Sequence, residues 1–206
     1  MGYIYGLLKA IITTLLFTMN KLVGNFGVAI ILATIVIKII LLPLTLKQDK
    51  SMRNMKKLQP EIDKIKKQYK DNPQVMQQKT MELYKENKVS PFGGCLPLLV
   101  QLPILWALFG VLRDPNTVPV NETFLWMNLV APDPYYILPV LNGIVSFLQQ
   151  KLMGSAGGAQ SKNMMYIFPV MMIVISYKMP AGLQIYWLAS SLVSVIQQYF
   201  IMKRGD

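Results

Sequence analysis

The sequence is poor in the side chains that most metal sites and catalytic sites use. It has no histidine, a single cysteine, Cys95, and ten acidic residues against 21 basic ones. No acidic residue falls within a long apolar stretch. These absences exclude the usual zinc sites, a disulfide within the chain and a carboxylate proton relay across a membrane. A phosphate loop is also missing, so we expect no nucleotide, metal or other cofactor.

Apolar residues dominate what is present. They make up 53% of the 206 residues, and the mean hydropathy is +0.38. About 20 apolar residues cross a bilayer core of roughly 30 Å. The sequence therefore predicts an all-α, polytopic membrane protein whose core, residues 23–206, has five transmembrane helices at about residues 26–46, 95–112, 134–152, 164–177 and 183–202.

The first 22 residues are harder to place. Their apolar segment, residues 10–20, lies between Lys9 and Lys21 and is too short to span a bilayer comfortably. We therefore expect residues 1–22 to form an amphipathic helix that lies in the membrane interface.

The basic residues indicate the orientation of the chain. Twelve of the 21 fall in residues 47–88, and short loops rich in lysine and arginine stay in the cytoplasm. Five spans then place this segment, the loop after the third span and the C-terminus in the cytoplasm. This distribution explains the net charge of +11 without specific DNA binding. Contact with ribosomal RNA or anionic lipid stays open.

Lys38 is the single charged residue of the first predicted span. At ~1.5 Å per residue it lies about 12 Å from the Leu46 end, where a lysine costs on the order of 2.5 to 3.5 kcal/mol. One interpretation is that its side chain snorkels to the interface. The lysine stem reaches only part of that distance, so we favour a functional polar pathway.

Polar residues in the other spans give Lys38 candidate neighbours. They recur at helical spacing, and we place them at mid-to-inner depth around a common water-filled cavity. The alternative for any one of them is ordinary hydrogen bonding between helices. The candidate site residues besides Lys38 are Thr34, Gln101, Asn142, Ser146, Tyr186, Trp187, Ser190 and Ser194.

Residues 47–88 form the one sizeable soluble element, which we predict to be a cytoplasmic helical hairpin. Its apolar residues recur at spacings of three and four from Met52 to Tyr69. Asn72 and Pro73 suit the cap and first position of a second helix, which should run to about Asn87. Four lysines lie near the predicted tip: Lys64, Lys66, Lys67 and Lys70. The alternative is a solvated hairpin whose charges only set the topology.

The fourth span has no strongly polar group among its apolar residues, and methionine adapts to varied apolar shapes. It is either ordinary lipid-facing packing or a surface along which hydrophobic clients slide. The candidate sliding surface consists of Met164, Met165, Phe168, Met171 and Met172.

Five longer segments carry a recognisable order of motifs. They are TIVIKIILLPLT at 34–45, MKKLQPEIDKIKKQY at 55–69, YKENKVSPFGGCLPLLVQLPI at 84–104, DPYYILPVL at 133–141 and MPAGLQIYWLASSLVSVIQQ at 179–198. Together they resemble the YidC family of membrane protein insertases over about residues 24–204. The chain looks like the minimal five-span form, without a large extracytoplasmic domain.

The resemblance implies an insertase of the bacterial plasma membrane, not an enzyme. Its implied fold has five spans around a hydrophilic groove that is open to the cytoplasm and to lipid but closed outside. Lys38 occupies the position of the groove's basic residue, with Thr34, Gln101 and Trp187 at other groove positions. The implied partners are nascent membrane proteins and lipid, with the ribosome and the Sec translocon as further candidates. The family usually has arginine at the position of Lys38, and only arginine keeps its charge under any desolvation.

Two functions of other classes stay open on the residues alone. A channel or transporter would use the same polar cavity, although the inverted repeats typical of transporters are not evident. An intramembrane hydrolase would use Lys38 as a general base for Ser190 or Ser194.

Overall fold

The computed structural model of the chain describes the backbone of residues 2–89, 96–153 and 159–204, with most of their side chains. These residues are almost entirely helical, which confirms the predicted all-α class. The elements are α1 (Gly2–Val23), α2 (Phe26–Ile40), α3 (Leu42–Lys57), α4 (Gln59–Gln68), α5 (Pro73–Glu86), α6 (Leu96–Leu112), β1 (Thr123–Phe124), β2 (Met127–Asn128), α7 (Ile137–Met153), α8 (Ala159–Ser176) and α9 (Ala181–Arg204).

Few of these helices are both long enough and apolar enough to cross a membrane on their own. Among the described residues, Tyr5–Val23 within α1 meets both conditions, and α2 and α3 meet them only as a pair. Leu99–Leu112 and Tyr166–Ser176 are shorter apolar helices. The apolar stretches predicted from the sequence do correspond to α2, α6, α7, α8 and α9, but their number as spans stays a prediction.

The first predicted span, residues 26–46, is broken by a bend and is not one straight helix. The chain bends by 64° between α2 and α3, at Leu41. Pro43 explains the break, because it has no N–H to donate to the carbonyl of Ile39 and its ring crowds that carbonyl. Lys38 therefore lies in the last turn of α2, just before the bend.

The hairpin of residues 47–88 has one more break than predicted. Its first arm is split at Leu58 into α3 and α4, because Pro60 opens the second helix. The predicted start of α5 is confirmed: the Asn72 side chain accepts a hydrogen bond from the Val75 N–H at 3.2 Å, and Pro73 follows it. The two arms enclose a small core of Met55, Leu58, Ile62, Tyr84 and Val89.

The helix bundle has two distinct ends. The loop end carries residues 113–133, between α6 and α7, and the hairpin end carries α3 to α5. In the 113–133 loop, β1 and β2 pair as an antiparallel two-stranded sheet. This loop is tied to the start of α9, where Ala181 N donates to Ala131 O at 2.7 Å and Gly182 N donates to Leu129 O at 2.9 Å.

Asp133 joins the 113–133 loop to α7. Its buried carboxylate accepts hydrogen bonds from Leu138 N at 2.7 Å, Trp126 Nε1 at 3.0 Å and Tyr135 N at 3.1 Å. Burial alone would raise the pKa of Asp133, but these hydrogen bonds outweigh it and hold the pKa below its usual range. The carboxylate therefore accepts a hydrogen bond from the first turn of α7 and caps that end of the helix with a negative charge.

Helix α1 lies against the loop end of the bundle. Its Ile12 and Leu16 are buried in the main apolar core, and Lys9 pairs with Asp114 at 3.2 Å. Beyond its C-terminus, Asn25 donates to Thr123 O at 3.3 Å. Helix α1 and the residues just after it thus both contact the 113–133 loop.

The main apolar core is concentrated toward the loop end. It joins residues of α1, α2, α6 and the start of α9 to the 113–133 loop, including Ile30, Val111, Leu129 and Leu183. Helix α9 is central, because it packs against α2, α6 and α7.

Candidate functional site

The structure brings Lys38 and Ser194 into direct contact. Lys38 Nζ donates a hydrogen bond to Ser194 Oγ at 2.9 Å, which links α2 to α9 across 156 positions of sequence. Both side chains are only half-buried. Neither ion pair found among the described residues includes Lys38. The ammonium is thus partly exposed at the protein surface and held by a neutral hydroxyl.

Two further residues complete this polar cluster. Ser194 Oγ donates to the Ser190 carbonyl at 2.9 Å, one turn earlier in α9. Thr34, one turn before Lys38 in α2, is buried and donates to the Ile30 carbonyl at 2.6 Å. Each hydroxyl donates to its own helix and keeps lone pairs that can accept a further hydrogen bond.

Gln101 and Tyr186 form a second polar link. Gln101 Nε2 donates to the Tyr186 hydroxyl at 2.8 Å, which joins α6 to α9. The neighbouring Trp187 is half-buried, and its indole N–H finds no acceptor among the described groups. A buried donor of this kind usually has a partner, which the described groups do not supply here.

Asn142 corrects the predicted common centre. It is fully buried, and its Nδ2 donates to the Gln184 carbonyl at 3.3 Å. Gln184 is three residues from the start of α9, so this contact lies about 5 Å from that end, whereas Lys38 lies about 18 Å along α2 from its start. The polar positions share helical faces but not one depth. Ser146, one turn further along α7, is buried without a described hydrogen-bond partner.

The methionine-rich helix α8 divides into two faces. Pro169, Met172 and Ser176 are buried, whereas Met171 is 42% exposed. The prediction that Met172 belongs to an exposed sliding surface is therefore wrong, because it lies on the inward face. Phe168 is half-buried, and the side chains of Met164 and Met165 lie outside the described residues. The exposed face consists of Tyr166, Ile167, Val170, Met171, Val174 and Ile175.

The lysines predicted near the hairpin tip lie in the second half of α4 and in the turn before α5. Lys64, Lys67 and Lys70 are exposed, and Lys66 is half-buried. Their role stays a prediction.

A contact that the sequence did not indicate connects the hairpin to α9. The guanidinium of Arg53 donates to the Ile201 carbonyl at 2.7 Å. Nearby Asp49 is 5% exposed. Burial raises the pKa of Asp49, and the positive charges of Arg53 and Lys56 offset only part of this effect. In the sequence these residues are indistinguishable from the other charges of the hairpin.

Comparison with known proteins gives a consistent family. The model of the 60Kd inner membrane protein family matches residues 18–206. A curated relative from Fusobacterium nucleatum subsp. nucleatum, named membrane protein insertase YidC, is 68% identical over 205 residues, which cover all of both chains. A relative of the same name from Anaeromyxobacter dehalogenans is 45% identical over 187 residues. The match covers 90% of this chain and 34% of that relative's length.

A solved structure extends the comparison to the fold. The structure described as "Active YidC insertase crystal structure with the first transmembrane domain resolved" superposes with a TM-score of 0.78 at 33% sequence identity. The match covers 97% of this chain and 46% of that one. The chain thus spans the first relative completely and less than half of the solved structure.

Proposed function

Since the chain belongs to the 60Kd inner membrane protein family, we propose that it is a membrane protein insertase and chaperone of the bacterial plasma membrane. It receives the polar tails of small or single-span membrane proteins in a hydrophilic groove that opens to the cytoplasm. It then releases their apolar segments to lipid. This task needs no bond to be broken.

The observation that carries this proposal is the contact between Lys38 and Ser194. An ammonium within an apolar helix is costly, on the order of 2.5 to 3.5 kcal/mol at the centre of a bilayer and less toward its interface. A single neutral hydroxyl at 2.9 Å does not neutralise its charge. The remaining donors of the ammonium need water or an anionic group, and the acidic tail of a client is such a group.

The proposed topology has five spans, α2, α6, α7, α8 and α9, with the hairpin and the C-terminus in the cytoplasm. The loop end then faces outward. An interfacial position for α1 is supported by contacts with the 113–133 loop both at Lys9 and just beyond its C-terminus. A helix crossing the bilayer would carry its two ends to opposite faces.

In the proposed mechanism, Lys38, Ser194 and Gln101 replace part of the water around the client's tail. The apolar segment moves along the exposed face of α8, where Ile167 and Val174 are 59% and 68% exposed. Burial of that segment in lipid drives insertion, at ~25 cal/mol per Å² of apolar surface. The ribosome and the Sec translocon are proposed as partners at the cytoplasmic side.

The same contact raises a second candidate, a hydrolase with a Ser194–Lys38 pair, because the two atoms lie within hydrogen-bond distance. Two features oppose it. Lys38 is the donor and Ser194 donates to Ser190 O, whereas a general base would accept the serine proton. Ser194 also lies within α9, whose backbone N–H groups are used by the helix and cannot form an oxyanion hole.

The proposal is tested by reconstituting the purified protein in liposomes with a single-span client that has an acidic N-terminal tail. Lys38→Leu removes the charge, and we expect at least about tenfold slower insertion, equivalent to about 1.4 kcal/mol. Lys38→Arg keeps the charge and should keep insertion.

A second client makes the result specific. A client whose tail has neutral residues should be much less sensitive to Lys38→Leu. Equal insertion of the acidic client by all variants would remove Lys38 from the mechanism. Client cleavage that Ser194→Ala abolishes would favour the hydrolase.

A further inference from the structure

A cavity lies at the loop end, away from the Lys38 groove. Its volume is about 470 Å³, which falls in the usual range for small-ligand sites. It is formed by the ends of α6 and α8, the 113–133 loop and the link between α8 and α9. Its walls are largely apolar and include Phe109, Val118, Val130 and Ile175.

The charged residues that line the cavity are both cations, Arg113 and Lys178. The Arg113 guanidinium carbon lies 4.2 Å from the centroid of the Phe109 ring, and Phe109 is itself part of the wall. This stacking holds the guanidinium at the cavity. Lys178, in the link before α9, also lines the cavity, so two cationic residues from different elements border one largely apolar space.

The acidic residues of the 113–133 loop are engaged elsewhere. Asp114 pairs with Lys9, Glu122 accepts from Phe26 N at 3.4 Å, and Asp133 caps α7. None of the three lines the cavity. Within the described part of the chain, neither Arg113 nor Lys178 belongs to an ion pair. The cavity thus has a positive charge that no ion pair among the described residues balances.

We propose that this cavity binds the phosphate-bearing headgroup of an anionic phospholipid. The two cations hold the phosphate, and an acyl chain packs on the apolar wall toward Ile175, which is 49% exposed. The need for both contacts favours a lipid over a free anion. Under the proposed topology, this lipid lies in the outer leaflet. The binding itself does not depend on that topology.

The test uses the full chain in detergent, titrated with phosphatidylglycerol or with phosphatidylcholine of the same acyl chains, and counts bound lipids by native mass spectrometry. The wild type should prefer phosphatidylglycerol. The double variant Arg113→Gln/Lys178→Gln should bind it about 30-fold more weakly, at about fivefold per charge. Its phosphatidylcholine binding should fall much less, because the choline group already offsets the charge of that phosphate.

The matched control is Lys57→Gln/Lys85→Gln, which removes two exposed charges from the hairpin and should leave the preference intact. Arg113→Lys should keep it as well. Unchanged phosphatidylglycerol binding in the double variant overturns the proposal. Displacement of the lipid by millimolar inorganic phosphate would also overturn it, in favour of a free-anion site. Since no client is present, the outcome is independent of insertion activity.

Discussion

The loop end and the hairpin end of the bundle are held together in different ways. At the loop end, hydrogen bonds from the 113–133 loop reach α7, α9 and the start of α2, and the main apolar core lies beneath them. At the hairpin end, α2 breaks at Leu41, and Ile39 and Ile40 are 61% and 68% exposed. There the described hydrogen bonds that join α2 and α3 to α9 are Lys38 to Ser194 and Arg53 to Ile201.

The loop end is therefore the fixed end of the bundle, and the hairpin end is the adjustable end. Regions with few buried apolar contacts open locally at lower free energy than a well-packed core. In the proposed mechanism, a client tail enters and leaves at the hairpin end while the loop end stays closed. The asymmetry fits an insertase better than a channel, which needs a continuous path.

The largest expected effect comes from breaking the fixed end. Asp133→Ala removes the acceptor of three hydrogen bonds and leaves their donors without a partner, so it should lower the free energy of unfolding by about 2 kcal/mol. Because the folded-state pKa of Asp133 is lowered, its contribution is present above about pH 4 and is lost as the pH falls through the folded-state pKa. Denaturant unfolding at several pH values measures both effects.

Asp133→Asn is the control for that prediction. Its amide oxygen can still cap α7 but carries no charge, so the variant should be more stable than Asp133→Ala and lack the acid-dependent step. If the alanine variant kept full stability, the loop end would not be the fixed end.

A smaller effect is expected at the link between α6 and α9. Tyr186→Phe leaves Gln101 Nε2 without its acceptor and should cost about 1 kcal/mol. The measurement is unfolding in detergent micelles, with Gln101→Leu/Tyr186→Phe as the matched pair. The double variant should recover part of the loss, because it removes both polar groups. Additive losses would mean that the two side chains do not interact.

The smallest effect on global stability is expected at the adjustable end. Arg53→Ala removes the hydrogen bond to Ile201 O, and the hairpin should then separate from α9 more often. We expect faster hydrogen exchange in α3 with little change in the unfolding midpoint. Lys50→Ala, an exposed position on the same helix, is the control. A large fall in the unfolding midpoint would show that this contact is part of the fixed core.

The sequence predicted elements best where local chemistry decides them. The start of α5 follows from an asparagine cap, Asn72, and the proline directly after it, Pro73, so the signal is entirely local. The proximity of Lys38 and Ser194 could be predicted from the sequence, because a charge and a polar stripe stand out in apolar helices. In these cases the residues identify their own role.

Other features depend on packing that a single helix does not encode. The bend at Leu41 had a local cause in Pro43, but the apolar run continues through it and hides it. The depth of Asn142 depends on where α7 meets α9. Met172 is buried because one face of α8 turns inward, and periodicity does not reveal which face does so when all of them are apolar.

The central claim is that the polar cluster around Lys38 is open to water from the hairpin end alone. It is tested by placing a cysteine at Ser190 in a Cys95→Ser background and adding a membrane-impermeant thiol reagent to inverted or to right-side-out membrane vesicles. Ser190 lies one turn from Ser194 and is 4% exposed, so labelling requires a water-filled groove. We expect labelling in inverted vesicles, which present the cytoplasmic side, and none in right-side-out vesicles. Equal labelling from both sides, or no labelling from either, would contradict the account.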